Sequence, residues 1–269
     1  MKPRTIAIIQ ARMSSTRLPG KVLLDIAGEP MLVRVIERAK RAKLIDEVVL
    51  ATTTDPSDDP VAEFCAERGY NFTRGSLNDV LDRYYQAAKE YDADVIVRLT
   101  ADCPVLAPDV VDQTISNQYS VISGLYEEKF DFVANRLPPP MGRTFPIGLD
   151  TEVCTFAALE NAWQNATEKH QREHVMPYLY EDTILTTDHS QLATGTSPRG
   201  FKIALYNHVP DYGALRWTVD TPEDLEFIRQ VFARFENDDF DWKDILALLE
   251  KEPALAKINA DVHHKTLME

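Results

Sequence analysis

Short apolar runs alternate with amphipathic segments over the first 120 residues of the chain. An apolar run is typical of a buried strand in a parallel sheet, whereas apolar residues three or four positions apart are typical of a helix. The pattern predicts strands at 5–10, 46–53, 70–74 and 92–100. It predicts helices at 30–44, 58–69 and 77–91. This order indicates an α/β protein with a mostly parallel central sheet and helices on both faces.

The pattern changes after residue 120. The segment 135–150 is rich in proline and glycine, so it predicts no regular element. The later predictions are a strand at 148–156, helices at 156–166 and 172–181, an irregular stretch at 189–200, and a strand, turn and helix at 216–235. We expect Thr221 to cap the last helix, with Asp224 three residues further on. The simplest arrangement is one domain over 1–269, with 121–205 as a mixed, loop-rich insertion.

Composition restricts the class of protein. The chain has 269 residues, 44% of them hydrophobic, which is enough for the core of one large domain. No apolar run approaches the roughly 18 residues of a membrane span, and no secretory signal is recognisable. We expect a cytoplasmic protein whose three widely spaced cysteines are reduced thiols. The net charge of −14 argues against non-specific binding of nucleic acid.

A cationic loop follows the first predicted strand. Arg12, Arg17 and Lys21 lie within ten residues, and three consecutive hydroxyl residues stand between the two arginines. The loop is not a kinase-type phosphate loop, because Ser15 replaces its first glycine and Val22 replaces its last hydroxyl residue. Backbone donors and arginine side chains can still bind phosphate oxygens in another way. The alternative is a surface loop whose charges are only solvated.

Two aspartates each follow a predicted apolar strand. Asp102 comes after the strand at 92–100, and Asp220 ends the apolar run that begins near Arg216. In a parallel sheet, ligands bind at the carboxyl ends of the strands, where the cationic loop is also expected. Mg²⁺ is held by one or two carboxylates together with substrate phosphates, so the two aspartates can form one metal site. The alternative is that each aspartate only begins a turn or a helix.

Two histidines are four residues apart on a predicted helix. His170 and His174 can share a metal ion at this spacing, but no third ligand accompanies them. Glu173 and His174 can instead contact a substrate. The other alternative is a polar helix face without a ligand.

Several longer motifs together resemble a known family. They lie at 8–23, 48–61, 74–88, 95–105, 148–153, 172–175 and 215–228. They resemble the cytidylyltransferases that include the spore-coat polysaccharide biosynthesis protein F type, which is similar to the CMP-Kdo and CMP-sialate synthetases. The resemblance covers about residues 4–235. It implies a nucleotide-diphospho-sugar transferase (GT-A-like) fold and transfer of CMP from CTP to a sugar or sugar acid, with release of pyrophosphate.

The resemblance also implies roles for individual residues. It implies that the triphosphate is held by Arg12, Ser15, Arg17 and Lys21. It implies that Ala11 lines the cytosine pocket and that Arg74 and Ser76 lie near the base or ribose. It also implies that Mg²⁺ is bound by Asp102 and Asp220, and that the acceptor is contacted by Asp150, Arg172 and Glu173. Arg12, Lys21, Asp102 and Asp220 would then be the catalytic set. The acceptor motifs of the sialate enzymes are not recognisable, so the sequence leaves the acceptor open.

The implied reaction is an in-line displacement. An acceptor hydroxyl or phosphate oxygen attacks the α-phosphorus, while cations neutralise the β- and γ-phosphates. We expect the insertion at 121–205 to form the acceptor side and to contribute to a homodimer contact. Two other functions fit the same features: a GT-A-type glycosyltransferase that uses a nucleotide-sugar, and a nucleotide-binding protein without turnover.

Overall fold

The structure, a computed structural model, describes residues 2–122, 125–187 and 191–263, and for 120–122, 125–128 and 187 it describes only the backbone. The strands are β1 (Thr5–Gln10), β2 (Asp25–Ile26), β3 (Glu29–Pro30), β4 (Glu47–Thr53), β5 (Phe72–Gly75), β6 (Val95–Thr100), β7 (Tyr119–Ile122), β8 (Leu125–Glu128), β9 (Phe132–Ala134), β10 (Glu152–Thr155), β11 (Thr186–Thr187), β12 (Leu192–Thr196) and β13 (Lys202–Tyr206). The helices are α1 (Met31–Lys40), α2 (Asp59–Arg68), α3 (Val80–Glu90), α4 (Pro108–Gln118), α5 (Phe156–Asn165), α6 (Lys169–His174), α7 (Pro177–Tyr180), α8 (Pro222–Phe232) and α9 (Trp242–Lys251). In this part of the chain, no helix has both the length and the apolar character needed to cross a membrane.

One large sheet organises the described residues. Its nine strands follow the order β11-β12-β13-β9-β10-β6-β1-β4-β5. The neighbours β6, β1, β4 and β5 pair in parallel, and only β10 and β12 run against the other seven strands of this described sheet. The prediction of an α/β fold with a mostly parallel sheet is therefore confirmed.

Strand β1 is the centre of the core because helices cover both of its faces. Ala7 and Ile9 pack into the apolar cluster on one face, and Ile6 and Ile8 pack into the cluster on the other. All four side chains are fully buried. Burying an isoleucine side chain contributes about 1.5–3 kcal/mol, so this strand is fixed firmly, and its carboxyl end is a rigid base for the loop that follows.

The segment 121–205 is continuous with the sheet. It supplies β9, β10, β11 and β12, and β10 pairs directly with β6. Phe132 of β9 and Val153 of β10 are fully buried. The part of the chain predicted as an insertion thus completes one side of the central sheet.

One stretch that was predicted to be irregular contains a strand. Leu192–Thr196 forms β12 within 189–200, whereas residues 189 and 190 lie outside the described part of the chain. Its small residues have weak strand propensity, but β12 pairs with β11 on one side and β13 on the other. Pairing on both sides outweighs the local preference. The segment 135–150 contains no helix or strand of the described fold, as predicted.

The strand predicted before Asp220 is wrong. This extended segment has one isolated bridge, between Arg216 and Ile147, because it hydrogen-bonds to two different parts of the chain. The Trp217 amide donates to the Ile147 carbonyl at 2.7 Å, and the Val219 amide donates to the Asp102 carbonyl at 2.8 Å. The second of these bonds brings Asp220 to the end of β6 without a strand.

The helix predicted at 172–181 is two helices. Val175 adopts a positive φ of 73°, which ends α6, and Pro177 begins α7. The predicted cap of α8 is confirmed, since the Thr221 side chain accepts from the Asp224 amide and the Asp224 side chain accepts from the Thr221 amide. The turn before α8 is therefore well fixed, and Asp220 immediately precedes it.

Candidate active site

A cleft of about 280 Å³ opens at the carboxyl ends of β1 and β6. Its walls come from the cationic loop after β1, from the start of α3, from the turn after β6 and from the end of α6. Ligands bind at this edge of a parallel sheet, so the cleft lies where the sequence predicts a site.

The cationic loop is curled and tied to the sheet. The Met13 amide donates to the buried Asp58 carboxylate at 2.6 Å. The Gly20 amide then donates to the Met13 carbonyl at 2.9 Å, which closes the loop on itself. Gly20 has a φ of 70°, a conformation that side chains with a Cβ rarely adopt. The curl turns the next residue, Lys21, towards the interior.

Lys21 lies between the two aspartates. Its Nζ donates to Asp102 Oδ2 at 2.9 Å and to Asp220 Oδ1 at 2.8 Å. A third bond, at 2.8 Å, goes to the Val219 carbonyl. Burial alone lowers the pKa of Lys21, but the two carboxylates outweigh burial and raise it above its ordinary value. Burial likewise raises the pKa of Asp102, and the Lys21 charge with its hydrogen bonds lowers it overall. The three side chains form one hydrogen-bonded unit.

Asp220 has two further cationic partners. Arg17 Nη2 lies 3.0 Å from Asp220 Oδ2, and Arg216 Nη2 lies 2.9 Å from the same oxygen. Arg216 is itself held by Asp224, whose two oxygens each accept from it at 2.9 Å. Asp224 is fully buried, so this arrangement fixes the position of the Asp220 carboxylate.

The oxygens around Lys21 Nζ suit a hard divalent cation. Two carboxylates and one carbonyl converge on a single point, and such oxygens are the ligands that Mg²⁺ prefers. Across the described ranges, no group of three or more His, Cys, Asp and Glu side chains is placed to hold a metal ion. A cation at this point would therefore depend on substrate oxygens or water for its remaining positions, as Mg²⁺ sites at phosphates commonly do.

The residues of this loop that were predicted to bind the triphosphate or to line the cytosine pocket also lie in the cleft. Ala11, Arg12 and Ser15 line it, and Arg12 is exposed. The Ser15 hydroxyl accepts from the Leu18 amide at 3.4 Å, which supports the loop from within. Arg12 has no hydrogen-bond or ion-pair partner among the residues that the structure describes. The side chain of Arg12 is therefore available to bind a ligand.

Two residues predicted near the base or ribose are not part of the cleft wall. Arg74 donates to the Thr53 carbonyl at 2.7 Å and pairs with Asp59 at 2.6 Å. The Ser76 hydroxyl accepts from the Asp79 amide at 3.1 Å, at the start of α3. Both residues organise the segment that connects β5 to α3.

The residues predicted for the acceptor are divided among three places. Glu173 lines the main cleft together with His174. Arg172 points to α3 instead, where its Nε lies 3.0 Å from Asp79 Oδ2 and its Nη1 donates to the Trp163 carbonyl at 2.7 Å. Arg172 therefore holds α6 against α3, and it positions its neighbours at the cleft.

Asp150, the third of them, belongs to a second cleft of about 150 Å³. This cleft adjoins the first, because Thr100, Asp102 and Asp220 line both. Its other charged residues are Arg98, Arg136, Asp150 and Glu152. Arg98 and Glu152 form a buried ion pair. Asp150 lies 2.7 Å from Arg143 and 3.3 Å from Arg136. Burial lowers the pKa of Arg136, but the carboxylates Glu152 and Asp150 outweigh burial and raise it.

Sequence reasoning missed two residues that line the main cleft, Gln10 and Arg83. Arg83 is only 3% exposed, and its Nε and Nη1 have no hydrogen-bond partner among the described residues. The same holds for Oε1 of Gln10. A signal was present, since Arg83 lies between Val80 and Ala87 on the apolar face of its helix, and Gln10 ends an apolar strand.

Comparisons with known proteins agree with this geometry. A family model described as cytidylyltransferase matches residues 6–252. The spore coat polysaccharide biosynthesis protein SpsF of Bacillus subtilis is 29% identical over 254 residues, 93% of this chain and 95% of that protein. A 3-deoxy-manno-octulosonate cytidylyltransferase of Geobacter sulfurreducens is 41% identical over 114 residues, 41% of this chain and 43% of that protein. A solved cytidylyltransferase structure from Leptospira borgpetersenii superimposes with a TM-score of 0.81 at 32% identity, covering 97% of this chain and all of that one.

Proposed function

The chain belongs to the cytidylyltransferase family, and we propose that it transfers CMP from CTP to a sugar or sugar acid, with release of pyrophosphate, for the synthesis of a surface polysaccharide. One observation carries the proposal. Lys21, at the end of a cationic loop, bridges the carboxylates of Asp102 and Asp220 at the open end of the sheet. A polyphosphate with a divalent cation is the ligand that uses both the loop and the two carboxylates.

The reaction needs charge compensation more than covalent chemistry. An acceptor oxygen forms a bond to the α-phosphorus, and the bond from this phosphorus to the bridging oxygen of pyrophosphate breaks. Arg12, Arg17 and Lys21 neutralise the β- and γ-phosphates, where negative charge accumulates on the leaving group. Asp102 and Asp220 would hold Mg²⁺, which when bound offsets charge on the phosphate oxygens.

Lys21 and Arg17 exchange partners when the substrate binds. In the free protein both are bonded to Asp220. A triphosphate carries more negative charge than these carboxylates, so it attracts the two side chains away from Asp220. The exchange frees the carboxylate oxygens for a cation. The ion pairs of the free protein therefore keep the site in shape until the nucleotide arrives.

The second cleft suits the acceptor. It shares Asp102 and Asp220 with the nucleotide cleft, so a molecule bound there would face the α-phosphate. Arg98 and Arg136 can pair with the carboxylate of a sugar acid, and Asp150 and Glu152 can accept hydrogen bonds from sugar hydroxyls. Glu173 would contact the acceptor from the nucleotide side, and Arg172 would act by positioning it.

Two further expectations complete the proposal. We expect a homodimer with a contact in 121–205, a segment in which Ile184 is 82% exposed. We expect the protein to act in the cytoplasm, where CTP is available. A mass by light scattering that corresponds to a monomer at micromolar concentration would contradict the dimer.

The decisive experiment is a substrate panel. The protein would be incubated with Mg²⁺, CTP and each of a set of sugar acids and sugar phosphates, and pyrophosphate and the CMP-sugar would be measured. We expect stoichiometric release of both with at least one sugar acid. Parallel reactions with ATP, GTP and UTP test the choice of nucleotide. Release of a nucleoside diphosphate from a nucleotide-sugar would indicate the glycosyltransferase instead. CTP binding without any product across the panel would indicate a protein without turnover.

A further inference from the structure

Arg83 is a buried cation, and two of its nitrogens lack a hydrogen-bond partner among the described residues. It is 3% exposed, and neither Nε nor Nη1 has a hydrogen-bond partner in the described residues. Burial lowers its pKa, and the nearby charge of Arg12 lowers it further, although Asp58 and Asp79 act in the opposite direction. A buried charge without hydrogen bonds destabilises the free protein, so its presence in the wall of a cleft points to a ligand.

The surrounding structure aims this side chain into the cleft. Arg83 shares one face of α3 with Val80, which also lines the cleft, and with Tyr84. The Tyr84 hydroxyl lies 3.1 Å from the carbonyl oxygens of Ile8 and Leu99, which fixes α3 over β1 and β6. On the opposite side, the Cα of Gly75 leaves room for the arginine stem, since a Cβ there would lie 2.8 Å from Arg83 Cγ. The guanidinium therefore has a defined position.

Gln10, the last residue of β1, lines the same cleft as Arg83. In β1, Ile6 and Ile8 face the apolar cluster that contains Val80 and Tyr84, and alternation along the strand places Gln10 on that same face. Its side-chain oxygen is buried and has no hydrogen-bond partner within the described ranges. A buried donor set and a buried acceptor thus border one cleft, both without partners.

A nucleobase fits this end better than a phosphate. The reacting phosphate belongs at Lys21, Asp102 and Asp220, and those charges are already paired with one another. The apolar part of the cleft wall includes Ala11 and Val80, both nearly fully buried, and Val80 lies one turn before Arg83 on α3. A planar base has two apolar faces and one polar edge, which matches apolar walls combined with a few directed hydrogen-bonding groups.

The two side chains match the edge of cytosine. That edge presents a donor, the 4-amino group, followed by two acceptors, N3 and O2. Uracil presents an acceptor at position 4 and a donor at N3. An amide oxygen accepts from the 4-amino group, and a guanidinium donates to N3 and O2. With uracil, N3 is a donor that faces the guanidinium, so this contact is lost although O2 still accepts. The amide oxygen of Gln10 then faces another acceptor unless the amide turns over.

We propose that Arg83 and Gln10 recognise the base edge of the nucleotide and select cytosine over uracil. The inference rests on the proposed function, because it assumes that the cleft binds a nucleoside triphosphate. It identifies what sets the choice of CTP, which the cationic loop does not, since that loop contacts phosphates common to all nucleotides.

Equilibrium binding of nucleotides in the absence of an acceptor tests the role of Arg83. CTP, UTP and CMP would be titrated calorimetrically into the wild type and Arg83→Met. We expect the wild type to prefer CTP to UTP by at least about tenfold, because a mismatched edge leaves buried groups unpaired. Arg83→Met should weaken CTP and CMP binding about equally, by tenfold or more, and change UTP binding much less. Equal losses for CTP and UTP, with CMP spared, would overturn the proposal in favour of a phosphate contact.

Thermal stability without nucleotide separates ligand binding from a structural role. Arg83→Met removes an unpaired buried charge, so we expect its melting temperature to equal or exceed that of the wild type. The matched control is Arg38→Met. Arg38 is also fully buried, but it donates to Asp238 Oδ1 at 2.9 Å and to the Phe240 carbonyl at 3.2 Å, so this variant should melt at a lower temperature. A fall in melting temperature for Arg83→Met as large as that of the control would overturn the proposal.

Gln10 is tested with a CTP analogue that lacks the 4-amino group. We expect Gln10→Leu to weaken CTP binding several-fold and to leave binding of the analogue nearly unchanged, because the analogue has no amino group to donate. A similar loss for both ligands would remove Gln10 from the proposal. The proposed function has its own readout, which is pyrophosphate release by the wild type. Normal release together with unchanged base selectivity in Arg83→Met would defeat this inference alone, whereas a wild type that binds no CTP would defeat both.

Discussion

The two ends of the nucleotide cleft differ in how their polar groups are paired within the protein. At one end, the carboxylate of Asp220 pairs with Lys21, Arg17 and Arg216, and Lys21 also pairs with Asp102. At the other end, the guanidinium of Arg83 and the amide oxygen of Gln10 have no hydrogen-bond partner in the described chain. Arg83 is only 3% exposed, whereas the side chains of Asp102 and Asp220 are 27% and 19% exposed, so the unpaired guanidinium is the more deeply buried group.

The contrast indicates two ways of preparing a site for the same ligand. The paired end must exchange partners during binding, so part of the gain from phosphate contacts replaces interactions that the free protein already had. The groups at the unpaired end give up no hydrogen bond within the protein when a ligand binds, so their new contacts contribute almost fully to affinity. Turnover should therefore depend mainly on the paired end, and selectivity for the base on the unpaired end.

The largest expected effect comes from breaking the paired end at its carboxylates. Asp102→Asn and Asp220→Asn keep the shape of the side chain, and the remaining partners of Lys21 keep the segment in place. We expect each variant to stay folded and to lose turnover by about 10²–10³-fold or more, because charge on the phosphates is no longer offset. The measurement is pyrophosphate release as a function of Mg²⁺ concentration.

The double variant tests whether the two carboxylates act together. If they hold one cation, loss of either disables the unit, and the double variant should be little worse than the single ones. Losses that multiply, or near-normal turnover in either single variant, would show that the aspartates do not share a ligand and that the paired end is not the centre of the reaction.

A smaller effect is expected from Lys21→Met, which removes the internal cation. CTP binding should weaken by about 1.5–3 kcal/mol, while CMP binding should change little, because Lys21 is expected to contact the β- and γ-phosphates. In the absence of nucleotide, Mg²⁺ should bind this variant more tightly than the wild type, since two facing carboxylates lose their cation. Calorimetric titration measures all three affinities.

A control for this variant is Lys40→Met, which removes an exposed lysine paired with Glu37 on α1. It should leave the affinities for CTP, CMP and Mg²⁺ unchanged. If Lys21→Met weakened CTP and CMP binding equally, Lys21 would not contact the terminal phosphates. If its Mg²⁺ affinity fell, the lysine would not occupy the position that a cation takes.

The sequence predicted the paired end far better than the unpaired one, for a physical reason. Arg12, Asp102 and Asp220 lie just after apolar segments, and Lys21 follows the loop that begins at Arg12. A charge in such a place has no packing role and so indicates a site. Arg83 lies inside an amphipathic helix, and a charge there is normally on the solvated face. Its spacing from Val80 and Ala87 indicates the apolar face, but only the packing of α3 on β1 shows that the side chain lines a cleft.

The same limit applies to the fold. Strands β1, β4 and β6 were predicted closely, because each is an apolar run that helices cover on both sides. Strand β12 was missed, since its small residues are held by neighbouring strands rather than by their own propensity. The extended segment before Asp220 was mistaken for a strand, because an apolar run does not show which groups its amides will bond.

A smaller perturbation of the unpaired end is Gly75→Ala. A Cβ at this position would lie 2.8 Å from Arg83 Cγ, so the arginine stem must shift while its charge is kept. We expect CTP affinity to fall by roughly 3- to 10-fold, with part of the selectivity over UTP lost, because directed hydrogen bonds tolerate little displacement. In Arg83→Met the same substitution should have no further effect on binding. Additive losses in the double variant would mean that Gly75 acts independently of Arg83.

The smallest expected effect concerns His174, which lines the cleft between its two ends. Burial lowers its pKa, as do the charges of Arg98 and Arg136, while Glu173 and Glu152 act in the opposite direction. Above pH 6.5 the histidine is neutral in both the folded and the unfolded chain. As the pH falls below 6.5, the unfolded chain binds a proton that the folded chain still excludes, so stability decreases until the folded pKa is passed.

His174→Gln removes this contribution, and its melting temperature should fall less than that of the wild type between pH 7.5 and pH 5. His170→Gln on the same helix, whose ring nitrogen lies 2.5 Å from Glu181, is the comparison variant. Equal falls in melting temperature for the wild type and His174→Gln would contradict this prediction. An NMR titration that places the pKa of His174 above 6.5 would also contradict it.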